Sequence, residues 1–370
     1  MNINILTQLD QLEGIASEWA QLALTSEHKS PLLTYEWLSC FFEINIAEGD
    51  WFVVVAHHHG KLCAVLPLVK STFRFLGVVI PCLSLPRNDY TLSVDMLVKT
   101  QEEACIEQLF AAAFRAYPPA KLIDFSRIDG VSRSLRWILN NKPILATADK
   151  SARGGAILID KNYEQYEREL KKNFRKNLSR WRNQLNALDG VDFVYDETSE
   201  VNEETLNSIF NVEHSGWKGA GGTSILSDAK TELFFRTLAP KMAKQGWLSL
   251  QLLTGMNNKP LAGNFSLKFA QSMLVWKLGY SDAHQKLSPG SLLMDDLIRR
   301  EFESKETCRV DLMTYEDWYA NWNMDVRPFF NLWVFRPSFI GLIYSLALKS
   351  RLLLAVAKAR LTKSTQKAAG

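Results

Sequence analysis

The sequence predicts an α/β protein with two domains, each a mixed central sheet flanked by helices, and a basic helix at the end of the chain. Three observations support this prediction. The chain has 370 residues, which is about the length of two domains. Short runs of β-forming residues alternate with segments whose apolar residues recur every three or four positions, as strands and helices alternate in α/β folds. After Asp325 the chain has no acidic residue, so its end differs in charge from the rest.

The composition is that of a folded globular protein. Apolar residues make up 47% of the chain and charged residues 22%, and its eleven tryptophans and twenty phenylalanines supply apolar surface for two cores. The formal net charge of +3 gives the chain as a whole no strong attraction to nucleic acid.

The five cysteines are widely spaced and include no CxxC pair, so we expect neither a disulfide framework nor a zinc site. Such cysteine usage fits a reducing compartment. The first residues lack the apolar region of a signal peptide, and no uncharged apolar stretch of about 20 residues predicts a transmembrane helix. We therefore expect a cytoplasmic protein that binds no metal.

The N-terminal domain is predicted to span residues 1–160. The triplet His57-His58-His59 is interpreted as a polar turn, because neighbouring strand side chains alternate between faces and cannot converge on one metal. The predicted helices are Tyr35 to Glu43, Glu102 to Tyr117 and Ser132 to Leu139, and the predicted strands are Trp51 to Ala56, Leu62 to Val69, Phe73 to Ile80, Leu92 to Val98 and Leu122 to Ser126.

The second domain is predicted to span residues 161–336. It opens with one long basic helix, Asn162 to Leu188, which carries an apolar stripe and ends before Gly190. The helices that follow are Glu203 to Glu213, Asp228 to Gln245, Gly290 to Ser304 and the short Asp317 to Trp322. The predicted strands are Val191 to Tyr195, Trp247 to Leu253, Leu261 to Phe269, Met273 to Tyr280, Arg309 to Leu312 and Phe329 to Phe335.

The tail, residues 337–370, is predicted to form a basic amphipathic helix from Ser338 to Leu361. It contains six basic residues and no acidic ones. Cations beside leucine, isoleucine and phenylalanine suit the anionic face of a membrane. We therefore hypothesise a peripheral contact with the cytoplasmic membrane face, and packing on its own domain or on a partner subunit is the alternative.

A strand, a loop and a helix follow one another from Lys277 to Leu293. A helix start offers unpaired N–H groups and a partial positive charge, both of which favour a pyrophosphate. The glycine at position 290 lets the backbone approach closely, and the lysine at 286 adds a point charge. An ordinary strand–loop–helix junction is the alternative. The candidate cofactor-binding residues are Lys277, Gly279, Tyr280, Lys286, Ser288, Gly290 and Ser291.

A second motif, Glu213 to Ile225, ends a helix and opens a glycine-rich loop. Glu213 and His214 have side chains that can act as a general base, and Lys218 can bind an anion. A helix end anchored by Trp217 is the alternative. The GAGGT run does not follow a strand, so it fails as a dinucleotide-binding fingerprint.

These motifs resemble the CelD-like acetyltransferase family of bacterial cellulose and exopolysaccharide biosynthesis. The resemblance rests on Glu213 to Ile225, the turn Asn258 to Ala262, the segment Gly279 to Gly290, and Asp311 with Tyr319 and Trp322. It covers residues 162–336 well and the N-terminal half more loosely. The family looks like a paired arrangement of GNAT domains related to FemAB-type peptidoglycan aminoacyltransferases. The resemblance therefore implies two GNAT-like domains.

The resemblance also implies an acyl-CoA-dependent N- or O-acyltransferase, with acetyl-CoA as the favoured co-substrate. Strands Met273 to Tyr280 and Arg309 to Leu312 would separate to hold the pantetheine arm. A base, His214 in preference to Glu213, would take the proton from the acceptor, and Tyr319 or Tyr315 would protonate or orient the leaving thiolate. The acceptor would be a small molecule or a saccharide of the cell envelope. The expected substrate-binding residues are Trp217, Lys218, Asp311 and Arg175.

Two alternatives stay open. A FemAB-like transfer from aminoacyl-tRNA would use the basic helix, since phosphate contacts need cations, and nucleic acid is otherwise not expected. A non-catalytic subunit that binds CoA or the synthesis machinery is the second. After Asp311, Thr314-Tyr315 and Ala320 stand where the family shows a glycine and a Tyr-Lys pair, which favours that second alternative.

No G-x-S-x-G, HExxH or P-loop pattern occurs, which disfavours serine hydrolases, zinc proteases and NTPases.

Overall fold

The computed structural model describes residues 1–368 except positions 28, 76, 92–93, 142–143 and 316, and leaves out the side chains at 217, 317–318, 356 and 359–368. The chain divides into two compact units. The first unit consists of Met1–His28, Ile46–Ala152 and Pro328–Gly370, and the second of Lys29–Asn45 and Arg153–Arg327. The three consecutive segments predicted from the sequence, 1–160, 161–336 and 337–370, stay a prediction about domains.

The first unit is built on a mixed sheet. Its strands are β1 (Asn2–Leu6), β2 (Trp51–His58), β3 (Lys61–Phe75), β4 (Val78–Ser84), β5 (Leu97–Val98), β6 (Leu122–Asp129) and the later part of β13 (Asp325–Phe335). They lie in the order β1-β2-β3-β4-β6-β13, with β5 beside β3, and β4 and β6 run parallel. The helices are α1 (Leu9–Glu13), α2 (Ala16–Thr25), α4 (Cys105–Ala116), α5 (Arg133–Asn140) and α12 (Phe339–Ala368).

The second unit has its own mixed sheet. Its strands are the end of β7 (Ala146–Leu158), β8 (Asp192–Asp196), β9 (Leu248–Gly255), β10 (Lys259–Phe269), β11 (Ser272–Tyr280) and β12 (Arg309–Asp311), in the order β7-β12-β11-β10-β9-β8. The helices are α3 (Tyr35–Asn45), α6 (Tyr163–Glu169), α7 (Lys172–Asn186), α8 (Glu203–His214), α9 (Trp217–Ala220), α10 (Ala229–Lys244) and α11 (Pro289–Ser304). The predicted α/β class with mixed sheets and flanking helices is confirmed.

The predicted helix from Asn162 to Leu188 is two helices. The first begins where the Asn162 side chain accepts a hydrogen bond from the Gln165 N–H at 2.9 Å, and it ends at Leu170, whose backbone is extended. The Leu170 side chain is buried in the core of the second unit. Burying this side chain needs an extended backbone there, so the helical pattern is interrupted although the apolar spacing continues.

Three other predicted elements differ from those observed. The predicted strand Phe73 to Ile80 belongs to two antiparallel strands, since β3 ends at Phe75 and β4 begins at Val78. The predicted strand Leu92 to Val98 begins on residues outside the described ones, and the described part forms a strand only at Leu97–Val98. Helix α3 was predicted in the N-terminal domain, but it packs on α10 of the second unit, where the rings of Trp37 and Phe234 lie 5.9 Å apart.

A largely buried group of ion pairs links three helices of the second unit. Arg182 of α7 donates two hydrogen bonds of 2.7 Å to the carboxylate of Asp295 on α11, and it also donates to Glu167 of α6. Asp295 is almost fully buried, and its charge is compensated mainly by Arg182, with Arg299 at a longer distance of 3.7 Å. The arginine is thus unavailable to an external anion, unlike most cations of this basic helix.

Replacing Arg182 by methionine is expected to lower the free energy of unfolding by about 3 kcal/mol, because it removes the hydrogen-bonded cation of Glu167 and Asp295 and leaves Asp295 only the longer pair with Arg299. Lys176→Met, at an exposed position of the same helix, is the matched control and should change stability by less than about 0.5 kcal/mol. Urea unfolding of both variants measures the difference. Equal destabilisation by the two substitutions would contradict the conclusion that Arg182 stabilises the contact of the three helices.

Candidate active site

The short strand β12 pairs with only the first residues of β11. Their parallel pairing joins Ser272, Met273 and Leu274 to Arg309, Val310 and Asp311, and β12 ends there while β11 continues to Tyr280. A bulge follows the paired part, since Trp276 has no opposite residue on β10. A bulge bends a strand and increases its twist. The second half of β11 therefore has one edge that β12 does not cover.

Glycines let α8 lie directly on the sheet. A Cβ atom on Gly279 would lie 2.3 Å from the Cα atom of Glu213 and 2.8 Å from its backbone nitrogen. On β10, a Cβ atom on Gly263 would lie 3.2 Å from the Cα atom of Ile209. The last turn of α8 is thus held against the uncovered half of β11, and Glu213 stands at that contact.

Glu213 forms a buried charge cluster with two lysines. One carboxylate oxygen, Oε2, accepts a hydrogen bond of 2.8 Å from the Ile225 N–H, and the other, Oε1, lies 3.5 Å from Nζ of Lys218. The Lys218 ammonium also donates to the Leu278 carbonyl at 2.7 Å. Burial lowers the pKa of Lys218, and the nearby Glu213 carboxylate opposes that shift.

Lys277 belongs to the same cluster. Its Nζ lies 5.6 Å from the centre of the Phe235 ring, which also packs on Trp276, so the bulge turns both residues toward α10. Burial lowers the pKa of Lys277 to about 8, against the opposing charge of Glu213 and aided by that of Lys218. A lysine with such a pKa is partly neutral near physiological pH and can accept a proton.

His214 is exposed, and its ring is bonded to the loop that follows the helix. Its Nδ1 lies 2.7 Å from the Ser224 hydroxyl, which in turn lies 2.7 Å from that of Ser227. The backbone of Trp217 begins the short helix α9, but its side chain lies outside the described part of the chain. The predicted base His214 is therefore a neighbour of Glu213 in sequence, with a side chain held by the loop after the helix.

The predicted cofactor loop ends in the N-terminus of α11. Lys286 is exposed in a turn of 3-10 helix, and Ser288 has a left-handed backbone with a φ of 50° before the helix begins at Pro289. The hydroxyl groups of Ser288 and Ser291 lie 3.0 Å apart. A Cβ atom on Gly290 would lie 3.1 Å from Cδ1 of Tyr280, so the helix start and the end of β11 are in close contact.

The carboxylate of Asp311 is held by groups of the protein. It accepts hydrogen bonds from the Met313 N–H and from Arg309, both at 2.8 Å, and it pairs with Arg327. These contacts fix the end of β12. Sequence reasoning did not anticipate this role for Arg327, because the arginine is 16 residues away along the chain. Substrate binding by Asp311 stays a prediction.

The remaining predicted residues lie at other places in the second unit. Tyr315 carries the Arg153 guanidinium over its ring at 4.9 Å, and Tyr319 packs against the core cluster that contains Trp322. Arg175 donates a hydrogen bond of 2.9 Å to the Arg168 carbonyl. The structure thus brings together Glu213, Lys218, Lys277 and Gly279, and separately Tyr280 with Gly290.

Residues 172–321 match the family model of the acetyltransferase (GNAT) domain. The protein contains an acyltransferase domain of the GNAT superfamily. This makes it an acyltransferase enzyme whose co-substrate is an acyl-CoA. Every predicted site residue falls within the matched stretch. No protein of curated function matches the sequence.

Solved structures share the fold over about nine tenths of the chain. FemX, in its crystal structure, is 9% identical in sequence, and the match covers 90% of this chain and 97% of FemX, with a TM-score of 0.63. L-PGS from Bacillus licheniformis is 12% identical, and the match covers 92% of this chain and 96% of L-PGS, with a TM-score of 0.52. A tandem GNAT protein from the clavulanic acid biosynthesis pathway is 11% identical, and the match covers 91% of this chain and 100% of that protein, with a TM-score of 0.50. The predicted tandem of GNAT-like folds is confirmed.

Proposed function

We propose that this enzyme transfers an acetyl group from acetyl-CoA to an amine or hydroxyl of a saccharide acceptor, in making or modifying a polysaccharide of the cell envelope. The observation that carries the transfer is the half of β11 that β12 leaves uncovered. Backbone N–H and C=O groups along such an edge can bond to the amide groups of a pantetheine arm as a further strand would. The polysaccharide context rests on the CelD-like motifs of the sequence.

The pyrophosphate of the co-substrate would bind at the start of α11. A helix of 16 residues directs unpaired N–H groups and a partial positive charge toward an anion at its N-terminus. The absence of a side chain at Gly290 lets the helix start lie against Tyr280, and Lys286 is exposed in the preceding turn. The contact between Gly290 and Tyr280 aligns this anion site with the end of the uncovered strand.

The chemistry is a direct attack on the thioester. The acceptor nitrogen or oxygen bonds to the carbonyl carbon, the bond from that carbon to sulfur breaks, and the acceptor proton passes to a base. We assign this base to Lys277 rather than His214, because Lys277 lies on the uncovered half of β11 and has a pKa of about 8, whereas His214 is turned toward Ser224. The thiolate would take its proton from solvent, because Tyr315 packs under Arg153 and Tyr319 packs on the core cluster that contains Trp322.

The cluster around Glu213 keeps this base in place. The Glu213 carboxylate is fixed by the Ile225 N–H and faces two lysines, so it holds their ammonium groups near the strand while burial shifts their pKa values downward. Glu213 is accordingly a positioning residue in this proposal. The loop from 214 to 227, which includes Lys218, would receive the acceptor.

A transfer from aminoacyl-tRNA is the second candidate. It is favoured by α7, which contains no acidic residue and exposes Lys172, Lys176 and Arg180. Such a row of cations would bind phosphates with a strong dependence on salt. Aminoacyl-tRNA that binds tightly at low salt and supports turnover, with acetyl-CoA inactive, would replace the first proposal by this one.

Acetyl-CoA binding tests the proposed site. In a calorimetric titration the wild-type enzyme is expected to bind acetyl-CoA, and Gly290→Trp is expected to bind at least about tenfold more weakly, a loss of about 1.4 kcal/mol, because the indole would collide with Tyr280 and displace the start of α11 from the end of β11. The control is Gly14→Trp in the first unit, where a Cβ atom meets nothing closer than 3.5 Å. Equal binding by both variants would place the cofactor elsewhere, and no binding by the wild type would contradict the acetyl-CoA proposal.

A further inference from the structure

The last helix, α12, has two apolar faces. One face packs on the core of the first unit, where Leu348 is buried with Trp333 and Phe335, and the Tyr344 ring lies 6.3 Å from that of Phe75. Ser345 is also fully buried on this side. Within the described part of the chain this packing uses only the inner side of the helix.

The opposite face exposes large apolar side chains. Phe339 is 78% exposed, and Leu353 and Leu354 are each 71% exposed. At about 100° per residue they form one stripe pointing away from the packed face. The members of this outer stripe are Phe339, Leu342, Ile343, Leu346, Leu353 and Leu354. Soluble proteins seldom expose an apolar patch of this size unless it binds something.

Cations lie on both sides of the outer stripe. Lys349 stands about 80° from its axis in one direction and Arg351 about 120° in the other. Both are exposed, and residues 337–370 contain six basic residues and no acidic one. Long basic side chains at the borders of an apolar face can reach lipid phosphates while the apolar residues enter the acyl boundary.

A neighbouring hairpin enlarges the apolar surface. Val78 and Val79 at the start of β4 are 56% and 52% exposed. Phe75, which pairs with Val78 across the hairpin, is the residue that packs on Tyr344 of α12. Val78 therefore lies on the face of the hairpin beside the helix that carries the outer stripe, whereas the side chain of Val79 points to the other face.

We propose that the outer stripe of α12 is a membrane-binding surface that lies flat on a bilayer of anionic lipids. Within the described residues no helix is long and apolar enough to cross a membrane, so the contact is peripheral. A second copy of the chain is the less suitable occupant, because a twofold contact through the stripe would bring two sets of six cations together. An anionic surface compensates those charges.

Vesicle sedimentation of the full-length protein tests this surface. We expect binding to vesicles of phosphatidylglycerol and phosphatidylcholine in equal parts, little binding to pure phosphatidylcholine, and weaker binding as salt rises. The double variant Ile343→Glu with Leu346→Glu should bind the anionic vesicles at least about tenfold more weakly. The control is Leu233→Glu on α10, a leucine that is 55% exposed, as is Leu346.

The possible results are distinguishable. Binding that the double variant loses and Leu233→Glu retains, with unchanged unfolding curves for both proteins, supports the proposal. Equal binding by wild type and double variant overturns it. A concentration-dependent dimer in analytical ultracentrifugation that the double variant abolishes, without vesicle binding by the wild type, would also overturn it and assign the stripe to a second copy.

Discussion

Replacing Lys277 by methionine is expected to lower kcat by about 10²–10⁴, the usual contribution of a positioned acid or base. Methionine keeps the length of the side chain and its packing beside Phe235 but cannot accept a proton. The wild-type rate should rise with pH through about 8, because burial lowers the pKa of Lys277 to about that value and only the neutral amine is a base. The variant should lose this rise.

Two further measurements separate catalysis from structure in this prediction. Titration with acetyl-CoA should give Lys277→Met an affinity close to that of the wild type, since the proposed base acts after binding. His214→Ala, at an exposed position one residue from the cluster, should keep kcat within about threefold of the wild type. A collapse of kcat in His214→Ala, with Lys277→Met still active and its pH profile unchanged, would return the role of base to His214.

Substituting Gly279 by alanine is expected to lower the free energy of unfolding by about 3 kcal/mol and to remove most activity. The added Cβ would lie 2.3 Å from the Cα atom of Glu213, and backbone atoms cannot yield as a flexible side chain does. Helix α8 would have to move away from β11. Because Glu213 is carried on that helix, its contacts with Ile225 and Lys218 would be lost with the movement.

A glycine on another strand of the same sheet provides the control for Gly279→Ala. A Cβ atom on Gly255 of β9 would lie 3.3 Å from Cδ1 of Leu261, the end of a side chain that can rotate. Gly255→Ala should therefore cost less than about 1 kcal/mol in urea unfolding and retain activity. If Gly279→Ala were as stable and as active as Gly255→Ala, the close contact between α8 and β11 would be contradicted.

The fold could be predicted largely from local patterns. The strands β9, β10 and β11 and the helices α8, α10 and α11 follow directly from alternation of strand-forming and helix-forming residues, separated by turn residues such as Asn257 and Asn258. The interruption at Leu170 could not be predicted, since apolar spacing continues across it. The packing of α3 on α10 depends on long-range contacts such as Trp37 with Phe234, which leave no local signal.

The candidate site was predictable in its residue types and less so in their arrangement. The motif around Glu213 and the loop before Gly290 were found because each joins glycine to potential acid–base or anion-binding groups. The assignment of Lys277 to the base needed the structure, because its pKa depends on burial beside Phe235, Glu213 and Lys218. The bulge at Trp276, which turns Lys277 toward them, is a property of strand register that one sequence does not reveal.

The most direct test of acyl transfer from CoA is an initial-rate measurement with acetyl-CoA and a panel of amino sugars and hydroxyl-bearing oligosaccharides. Free CoA thiol and acetylated acceptor would be measured together. Direct attack in a complex of both substrates predicts equal amounts of the two products and intersecting double-reciprocal lines. Parallel lines with a burst of CoA in the absence of acceptor would contradict direct attack by showing a covalent intermediate. Release of no CoA with any acceptor, by a protein that binds acetyl-CoA, would contradict acetyl transfer to saccharides and favour a non-catalytic role for the bound CoA.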